Sequence, residues 1–570
     1  MPAVNSTHRW QLPKEPDAAV ADLALRLALP ELAVRVLMHR GLSDAESVQS
    51  LLNPSAARLN KPDLLPDIKP ATERITAALE RKERILVYGD YDVDGVTATA
   101  VLVTTLRRLG ADVLYYLPAR ETEGYGLSEA GVRFAGEHGV KLMVTVDCGS
   151  TDHEDVRLAN ELGIDVIITD HHEVPDVLPE SLALVNPKRP GSAYPFSELA
   201  GVGVAFKLAW SLLAALDRPK QELTDLLDLV GVGTIADMVP LVDENRIIAR
   251  LGLTALGHTT RPGLAALMEL AGIGKRPPTS YDVGFVIGPR LNAAGRLKHA
   301  RTAVELLLTE DPAEGKSLAR ELDTLNRERQ SVEERITNQA LTIVEAARLF
   351  EDRVLVLAAE GWHKGVIGVV ASKVVERYYR PCVVIALDGE TGKGSARSIS
   401  GFNLYESLAG CRELLLGFGG HKYAAGLSIS RDKVRDFTRA INQYAASVPD
   451  EVYQPSLQID AVCGLEEVDD RLVQFLRQLE PFGPENRKPV LATLGVEVIG
   501  YPRRVGKNHL KLTLRAGDTA IEAMAWGRSA ELPNIEVGRR DHLDICYTVD
   551  QRTYAGRTST QLNLRDLRSR

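Results

Sequence analysis

At a prior of ~150 residues per domain, a chain of 570 residues is expected to hold several domains. Hydrophobic residues make up 45% and charged residues 25%, the balance of an ordinary globular protein, which excludes a collagen-like, low-complexity or largely disordered chain. Lys and Arg total 68 against 77 Asp and Glu, a net charge of −9, so the chain cannot coat a polyanion non-specifically and any nucleic-acid binding needs a local basic channel or bound metal.

Residues 1–75 read as short helices around turn signals such as Arg40-Gly41-Leu42-Ser43 and Asn53-Pro54, an N-terminal helical cap with no chemistry of its own. The opening MPAVNSTHRWQLPKEPD lacks the basic-then-apolar pattern of a signal peptide. The most apolar early stretch, Ala21 to Met38, carries Asp22, Arg26, Pro30, Glu31 and Arg35 and cannot span a bilayer. The five cysteines, Cys148, Cys382, Cys411, Cys463 and Cys546, form no CxxC pair, so reduced thiols are expected. The expectation is a soluble, cytoplasmic protein with no membrane contact.

From residue 76 to 310 the pattern is α/β. Apolar runs of strand length, at Ile85–Tyr88, Val113–Leu117, Leu142–Val146, Val166–Thr169 and Leu182–Val185, alternate early on with helix-length segments at 97–109, 127–138 and 152–162, which argues for a parallel sheet covered on both faces. The first of these strands runs into Gly89-Asp90-Tyr91-Asp92-Val93-Asp94-Gly95. Three carboxylates at alternate positions project to one side if the backbone stays extended, and massing them raises the cost of ionising all three unless a cation sits among them. A calcium loop is disfavoured, because position 12 counted from Asp90 is Val101 where such a loop needs a bidentate Glu. The strand Leu142–Val146 ends in Asp147-Cys148-Gly149, and the next in Asp170-His171-His172. An Asp after a strand is often only a helix cap, and a His pair only a surface turn. Three polar clusters at strand ends point instead to the ligand-binding edge of a parallel sheet. A fourth acid, Asp237 in Gly233-Thr234-Ile235-Ala236-Asp237-Met238-Val239-Pro240, lies in an apolar run where a lone carboxylate is costly. Many Asp oxygens with few imidazoles suit two Mn²⁺ or Mg²⁺ ions clamping both oxygens of a phosphoryl displacement. The chemistry indicated is metal-dependent hydrolysis of a phosphoester or phosphoanhydride.

Residues 311–350 read as one long connecting helix, with Leu318, Leu322, Leu325, Val332 and Ile336 too short a seam for a coiled coil. Residues 351–452 form a smaller α/β domain, with strands at 354–358 and 383–387. From 453 to 570, alternating runs such as His509–Leu514 and Gln561–Leu564 between Gly-containing turns suggest a small β-barrel.

Taken in order, GDYDVDG, VDCG, TDHH and IADMVP resemble the motifs of the DHH phosphoesterase family, and Gly419-Gly420-His421-Lys422-Tyr423-Ala424-Ala425-Gly426 resembles the GGHxxAAG signature of its DHH-associated domain. With GPRLNAAGR at 288–296 and Gly394-Ser395-Ala396-Arg397-Ser398, the set resembles, over nearly the whole chain, the family's single-stranded-DNA-specific exonucleases. The resemblance implies a multidomain α/β protein: a parallel-sheet DHH domain, a smaller α/β DHH-associated domain and a C-terminal OB-fold barrel. It implies metal ligation by Asp90, Asp92, Asp94, Asp147, His171 and Asp237, with Asp170 orienting an imidazole and His172 touching the scissile phosphate. It also implies 5′ to 3′ hydrolysis of single-stranded DNA to mononucleotides in DNA repair and recombination, with a single-strand-binding protein and a helicase as partners. Arg290 and Arg296 around Asn292, then Ser395, Arg397, Gly419, Gly420 and His421, are candidate substrate contacts, since guanidinium forks fit phosphate and small residues let a backbone approach. Asn326, Arg329 and Gln330 on the connecting helix belong to the same set. On the barrel, Tyr501 with Arg503, Arg504, Lys507, His509 and Lys511 interleaves an aromatic with cations, the pairing for base stacking and backbone neutralisation. The rival readings are a DHH hydrolase of oligonucleotides, cyclic dinucleotides or pyrophosphate, which needs no barrel, and a replication scaffold that has lost catalysis, which predicts degraded motifs.

Overall fold

The computed structural model describes residues 7–14, 19–120, 122–274, 276–529, 543–554 and 557–570. Two compact bodies emerge: residues 55–449 with 483–485 form the larger, and 1–54, 450–482 and 486–570 the smaller.

The larger body is organised by a five-stranded parallel sheet in the order Val113–Tyr116, Ile85–Gly89, Leu142–Val146, Asp165–Thr169, Ala183–Val185. Every residue of Ile85–Gly89 and Leu142–Val146 is buried, as unbroken apolar runs require when both faces are covered. The chain steps from Ile85–Gly89 to one side and then crosses to the other, so the topological switch falls between Ile85–Gly89 and Leu142–Val146. In open parallel sheets that crevice, at the carboxyl ends, is where ligands bind.

The helix Val93–Arg108 begins at this switch and is buried from Val93 to Val103. Its sequence, VDGVTATAVLVTTLRR, has no wide polar stripe. The polar groups it does bury are answered locally: Thr97, Thr99 and Thr105 donate to the carbonyls of Val93, Gly95 and Val101 at 2.7–2.8 Å. Helices Gly201–Ala215 and Leu227–Ala236 pack on it, giving one apolar core with the sheet.

One ion pair is sealed into this helical layer. Lys207 Nζ lies 2.6 Å from Glu244 Oε1 and donates to the Asn60 carbonyl at 2.6 Å, and neither side chain is exposed. Glu244 also accepts from the Asn60 amide at 2.7 Å and from the Tyr194 hydroxyl. Burial pulls the Lys207 ammonium below its ordinary pKa, against the opposing charge of Glu244.

The helix Pro312–Ala346 leads to a mixed sheet in the order Gly417–Gly420, Ala424–Ser430, Thr391–Arg397, Cys382–Asp388, Leu355–Glu360. Its buried side is mixed in character: Leu322, Leu325 and Ile336 are buried beside Asp323, Asn326, Arg329 and Glu333. That polar stripe is why a heptad reading of the helix stops early.

In the smaller body, strands Leu491–Val505, His509–Ala516, Thr519–Ala525, Leu543–Tyr554 and Arg557–Ser569 close into a barrel through pairing of the first with Leu543–Tyr554. The N-terminal segment expected to form one cap divides between the bodies. Leu32, Val36, Leu37 and Val48 share the barrel's core, Arg9–Gln11 pairs with Ser456–Gln458, and Trp10 Nε1 donates to Asp566 at 2.9 Å. Helix Ile68–Glu80 instead buries Ile68, Ala71, Ile75 and Ala78 in the larger body's core.

Glu244→Ala leaves Lys207 buried without its counter-charge, and such a loss costs ~3–5 kcal/mol, whereas a Lys207→Met, Glu244→Leu double variant should lose much less. Denaturant midpoints of the three proteins, followed by tryptophan fluorescence, check the ordering.

Candidate active site

The acid-rich turn is not extended. The helix starts at Val93, so Asp92 becomes its N-cap and accepts from the amides of Asp94 (2.9 Å) and Gly95 (3.2 Å). The expected alternation on an extended backbone is therefore replaced by a strand end, a cap and a first helical turn. Gly95 permits the fold-back: a Cβ there would lie 2.5 Å from the Asp90 carbonyl oxygen. Asp94 is turned toward a second helix. It accepts from the amides of Gly201 (2.7 Å) and Val202 (2.8 Å) at the N-terminus of Gly201–Ala215, where the helix field favours an anion. A Cβ on Gly201 would come 2.5 Å from Asp147 Oδ1, so a side chain at this position would fill the space between the two acids.

Asp147 has φ +63°, a left-handed conformation that Asp tolerates better than most residues. It is held there by its amide donating to the Thr169 carbonyl at 3.0 Å and by the Tyr125 hydroxyl donating to its own carbonyl at 3.1 Å. Met238, directly after Asp237, also has positive φ, at +65°.

These elements bring the six sequence-assigned ligands together. His171 Nε2 lies 3.1 Å from Asp147 Oδ1, 3.7 Å from Asp237 Oδ2 and 3.8 Å from Asp94 Oδ2. Three groups each have donor atoms within 4.8 Å of one another: Asp90, Asp92 and Asp147; Asp94, His171 and Asp237; and Asp147 with both histidines. Asp90 Oδ1, Asp147 Oδ1 and His171 Nε2 are buried and have no hydrogen-bond partner, although buried polar atoms are normally satisfied. Orphaned carboxylate oxygens and an orphaned imidazole nitrogen, converging, fit a divalent cation. The electrostatics agree. Burial, then the neighbouring acids, push Asp90, Asp94 and Asp147 well above the carboxylate range, and push Asp237 to about 7. Burial and the adjacent His172 bring His171 down to about 3, which keeps its imidazole neutral and able to ligate.

Asp170 belongs to a different layer. It accepts from the amides of His171 (2.7 Å), His172 (3.2 Å) and Ser150 (3.0 Å), and from His172 Nδ1 (2.8 Å). Burial opposes its ionisation, but the bond and charge of His172 with these other donors hold it well below the usual range. The same contact raises His172 against its own burial. Tyr125 Oη, 2.8 Å from the same Nδ1, completes the orienting set.

A cationic cluster borders the acids. Arg296 donates to the Gly365 carbonyl at 3.0 Å, and burial with the fields of Arg120, Arg329 and Arg397 lowers it to about 10 against the pull of Asp92. Arg397 Nη1 lies 3.3 Å from Ser395 Oγ, and burial and Arg120 lower its pKa likewise. A Cβ on Gly368 would come 2.9 Å from Ser395 Oγ and 3.0 Å from Arg397 Nη2, so the start of helix Ile367–Tyr378 faces both.

Other assigned residues are placed apart from this cluster or are already engaged. Arg290 is bound to Asp323 Oδ1 (3.0 Å) and the Val286 carbonyl (2.8 Å). The Gly-rich segment around Asn292 is a helix, Gly288–Leu297, whose small face packs on the acid turn: a Cβ on Gly295 would lie 2.6 Å from the Tyr91 carbonyl oxygen. Arg329 is buried against Asn326 and Glu333, while Gln330 is exposed on the same helix. Gly419 and Gly420 lie on an exposed edge strand and His421 just beyond it.

Arg120 and Tyr125 are not among the sequence-assigned residues. Both fall in the loop after Val113–Tyr116, at the same carboxyl edge as the acids, so reading that edge for cations and hydroxyls as well as acids would have found them. On the barrel, Tyr501 is 96% exposed with Arg503 and Arg504 beside it, and Lys511 pairs with Glu522. Trp526, also outside the assigned set, is half-exposed, edge-on to His509 with ring centroids 4.7 Å apart.

A parallel sheet with acids and a histidine pair on its carboxyl edge, joined by a long helix to a small mixed-sheet domain, defines a DHH phosphoesterase. Residues 84–234 match the DHH family N-terminal domain, 351–447 the DHHA1 domain and 459–566 the RecJ OB domain. The single-stranded-DNA-specific exonuclease RecJ of Bacillus subtilis is 41% identical over 98% of this chain and 71% of its own length, and that of Escherichia coli 35% over 94% and 95%. The crystal structure of RecJ in complex with Mn²⁺ from Thermus thermophilus superposes with a TM-score of 0.84 at 31% identity, covering 98% of this chain and 79% of that one. The chain belongs to the RecJ family.

Asp237 has a folded pKa near 7 against 3.8 for the free side chain, so its contribution to stability is full below about pH 4 and lost as pH rises through about 7. Without metal, Asp237→Asn should therefore be the more stable protein at pH 8, with the gap closing below about pH 4. Excess Mn²⁺ should reverse the order at pH 8, because binding to the folded state stabilises it. Thermal unfolding at the two pH values, with EDTA or Mn²⁺, measures both effects.

Proposed function

We propose that the chain hydrolyses single-stranded DNA from the 5′ end to mononucleotides, using two divalent cations, Mn²⁺ or Mg²⁺. The observation that carries this reading is the convergence of six acid and imidazole side chains, three with orphaned buried atoms, directly beside a cluster of four guanidiniums. Asp90, Asp92 and Asp147 would hold one ion and Asp94, His171 and Asp237 the other, with Asp147 within reach of both. Bound there, the cations supply a nucleophile from water at neutral pH and neutralise charge on the phosphoryl oxygens.

The chain's own groups do the rest. Asp170 fixes His172 through Nδ1 and favours its protonated form, in which the second N–H, on Nε2, would donate a hydrogen bond to the scissile phosphate, while Tyr125 lies against the same Nδ1. Arg296, Arg397 and Ser395, with Arg120 nearby, would hold backbone phosphate. Guanidiniums remain charged at neutral pH even where burial lowers them to about 10. On the barrel, Tyr501 and Trp526 offer exposed rings beside Arg503 and Arg504 for unpaired bases. The relatives bear the name of single-stranded-DNA-specific exonucleases, which supports the substrate. A helicase and a single-strand-binding protein fit as partners that expose and present such strands, in repair and recombination. Among the described residues no helix is long and apolar enough to cross a membrane, and a cytoplasmic location fits this reading.

Digestion of end-labelled single- and double-stranded DNA with Mn²⁺, Mg²⁺ or EDTA tests the proposal. Metal-dependent loss of single strands from the 5′ end is expected, and is abolished in Asp92→Ala. The histidine roles separate by calorimetric Mn²⁺ titration. His171→Ala should weaken metal binding by more than the ~10–100-fold of an outer-shell change, with activity partly restored by excess Mn²⁺. His172→Ala should keep its metal and lose turnover that added Mn²⁺ does not restore.

A further inference from the structure

Two large aromatic side chains lie in the open on the segment that leads into the helix Gly288–Leu297. Tyr281 is 65% exposed and Phe285 68%, and their rings stack at 4.9 Å between centroids with an interplanar angle of 24°. Their mount is rigid. Thr279 and Asp282 form a reciprocal capping box, and Arg276 grips both oxygens of Asp282 at 2.6 Å. Residues Val283–Ile287 then make a π-helical turn, a feature that recurs at functional sites. Val283 and Ile287 are buried while Phe285 between them points outward. Arg290 ties the turn down by donating to the Val286 carbonyl at 2.8 Å while bound to Asp323.

The helix that follows the pair packs on the acid site at both of its ends. A Cβ on Gly288, three residues after Phe285, would lie 3.5 Å from the Cβ of Ala236, which precedes Asp237. The far end of the same helix meets the Tyr91 carbonyl through Gly295.

We propose that Tyr281 and Phe285 form a base-stacking platform that takes an unpaired base of the single-stranded DNA substrate, on the segment leading into the helix that packs on the acid site. This rests on the functional reading above and adds to it a contact to the base. Flat, parallel, solvent-open rings suit any nucleobase, because every base presents a π-face. Among the described residues, the neighbouring guanidiniums of Arg276 and Arg290 are already paired with Asp282 and Asp323, which favours contact with bases over phosphates. Two rings alone are also far smaller than the ~800 Å² per partner that a stable protein interface buries.

The test uses the full chain with single-stranded oligonucleotides carrying 2-aminopurine at successive positions, in EDTA, with hydrolysis of unmodified strand in Mn²⁺ measured in parallel. Wild type should quench 2-aminopurine at a defined position. Phe285→Ala and Tyr281→Ala should each lose that quench and weaken binding by about 5-fold or more. Phe285→Trp should retain both, and Phe285→Leu, apolar but not aromatic, should not. If wild type degrades single strands while the alanine variants keep quench and affinity, the platform is overturned and the functional reading stands. If wild type fails to degrade them, both fall. If the variants keep DNA affinity but change the sedimentation of the protein, the rings belong to a contact between copies of the chain, and the proposal is overturned.

Discussion

Repulsion among carboxylates governs the larger body. Asp90, Asp92, Asp94, Asp147 and Asp237 crowd around one buried imidazole, and like charges so placed cannot all ionise in a dry environment unless cations lie among them. The fold answers part of that charge with its own backbone. Asp94 is met by the first amides of one helix, Asp92 by those of its own, and Asp170 by three amides and an imidazole. Asp90 Oδ1, Asp147 Oδ1 and His171 Nε2 are left without a hydrogen-bond partner. Unpaired buried atoms occur elsewhere in the chain, but here three of them converge with other acids, the arrangement that an external cation completes.

The guanidinium cluster is the counterpart. Arg296 lies in the fields of Arg120, Arg329 and Arg397, and Arg397 in that of Arg120, and burial adds to the cost for both. Placing the two clusters side by side gives an acidic protein a local site that would attract metal at one point and phosphate at the next. Each cluster opposes folding when empty. The surrounding frame therefore has to hold them, and the apolar core shared by the sheet and the helix Val93–Arg108 is what it has to hold them with.

Two of the left-handed backbone positions lie at the site. Asp147 and Met238 adopt left-handed backbone at or directly beside an assigned ligand, and each costs energy that the neighbouring packing must repay. For Asp147 the repayment is visible in the bonds to Thr169 and Tyr125. The hydroxyl that steadies the Asp147 backbone also reaches His172, so the positions of these two residues are mechanically linked.

The sequence by itself determined the sheet, its carboxyl edge and the identity of the acids and imidazoles on it. Apolar runs of strand length and the polar motifs that end them are local features, and a parallel sheet forces such ends to one side. It did not determine how the acid turn is shaped, because whether Asp92 caps a helix or continues a strand depends on Gly95 packing against Asp90. Nor did it assign Arg120 and Tyr125, whose roles arise only when a loop folds over a neighbouring strand end. Arg290 shows the reverse: a guanidinium in a Gly-rich segment suggests phosphate, yet Asp323, 33 residues on, takes it up. The division of residues 1–54 from the helix at 68–80 was likewise set by long-range burial. Residue types and their spacing can specify which groups reach an edge, but only tertiary packing decides which charges meet there, since the partners come from segments far apart in the chain.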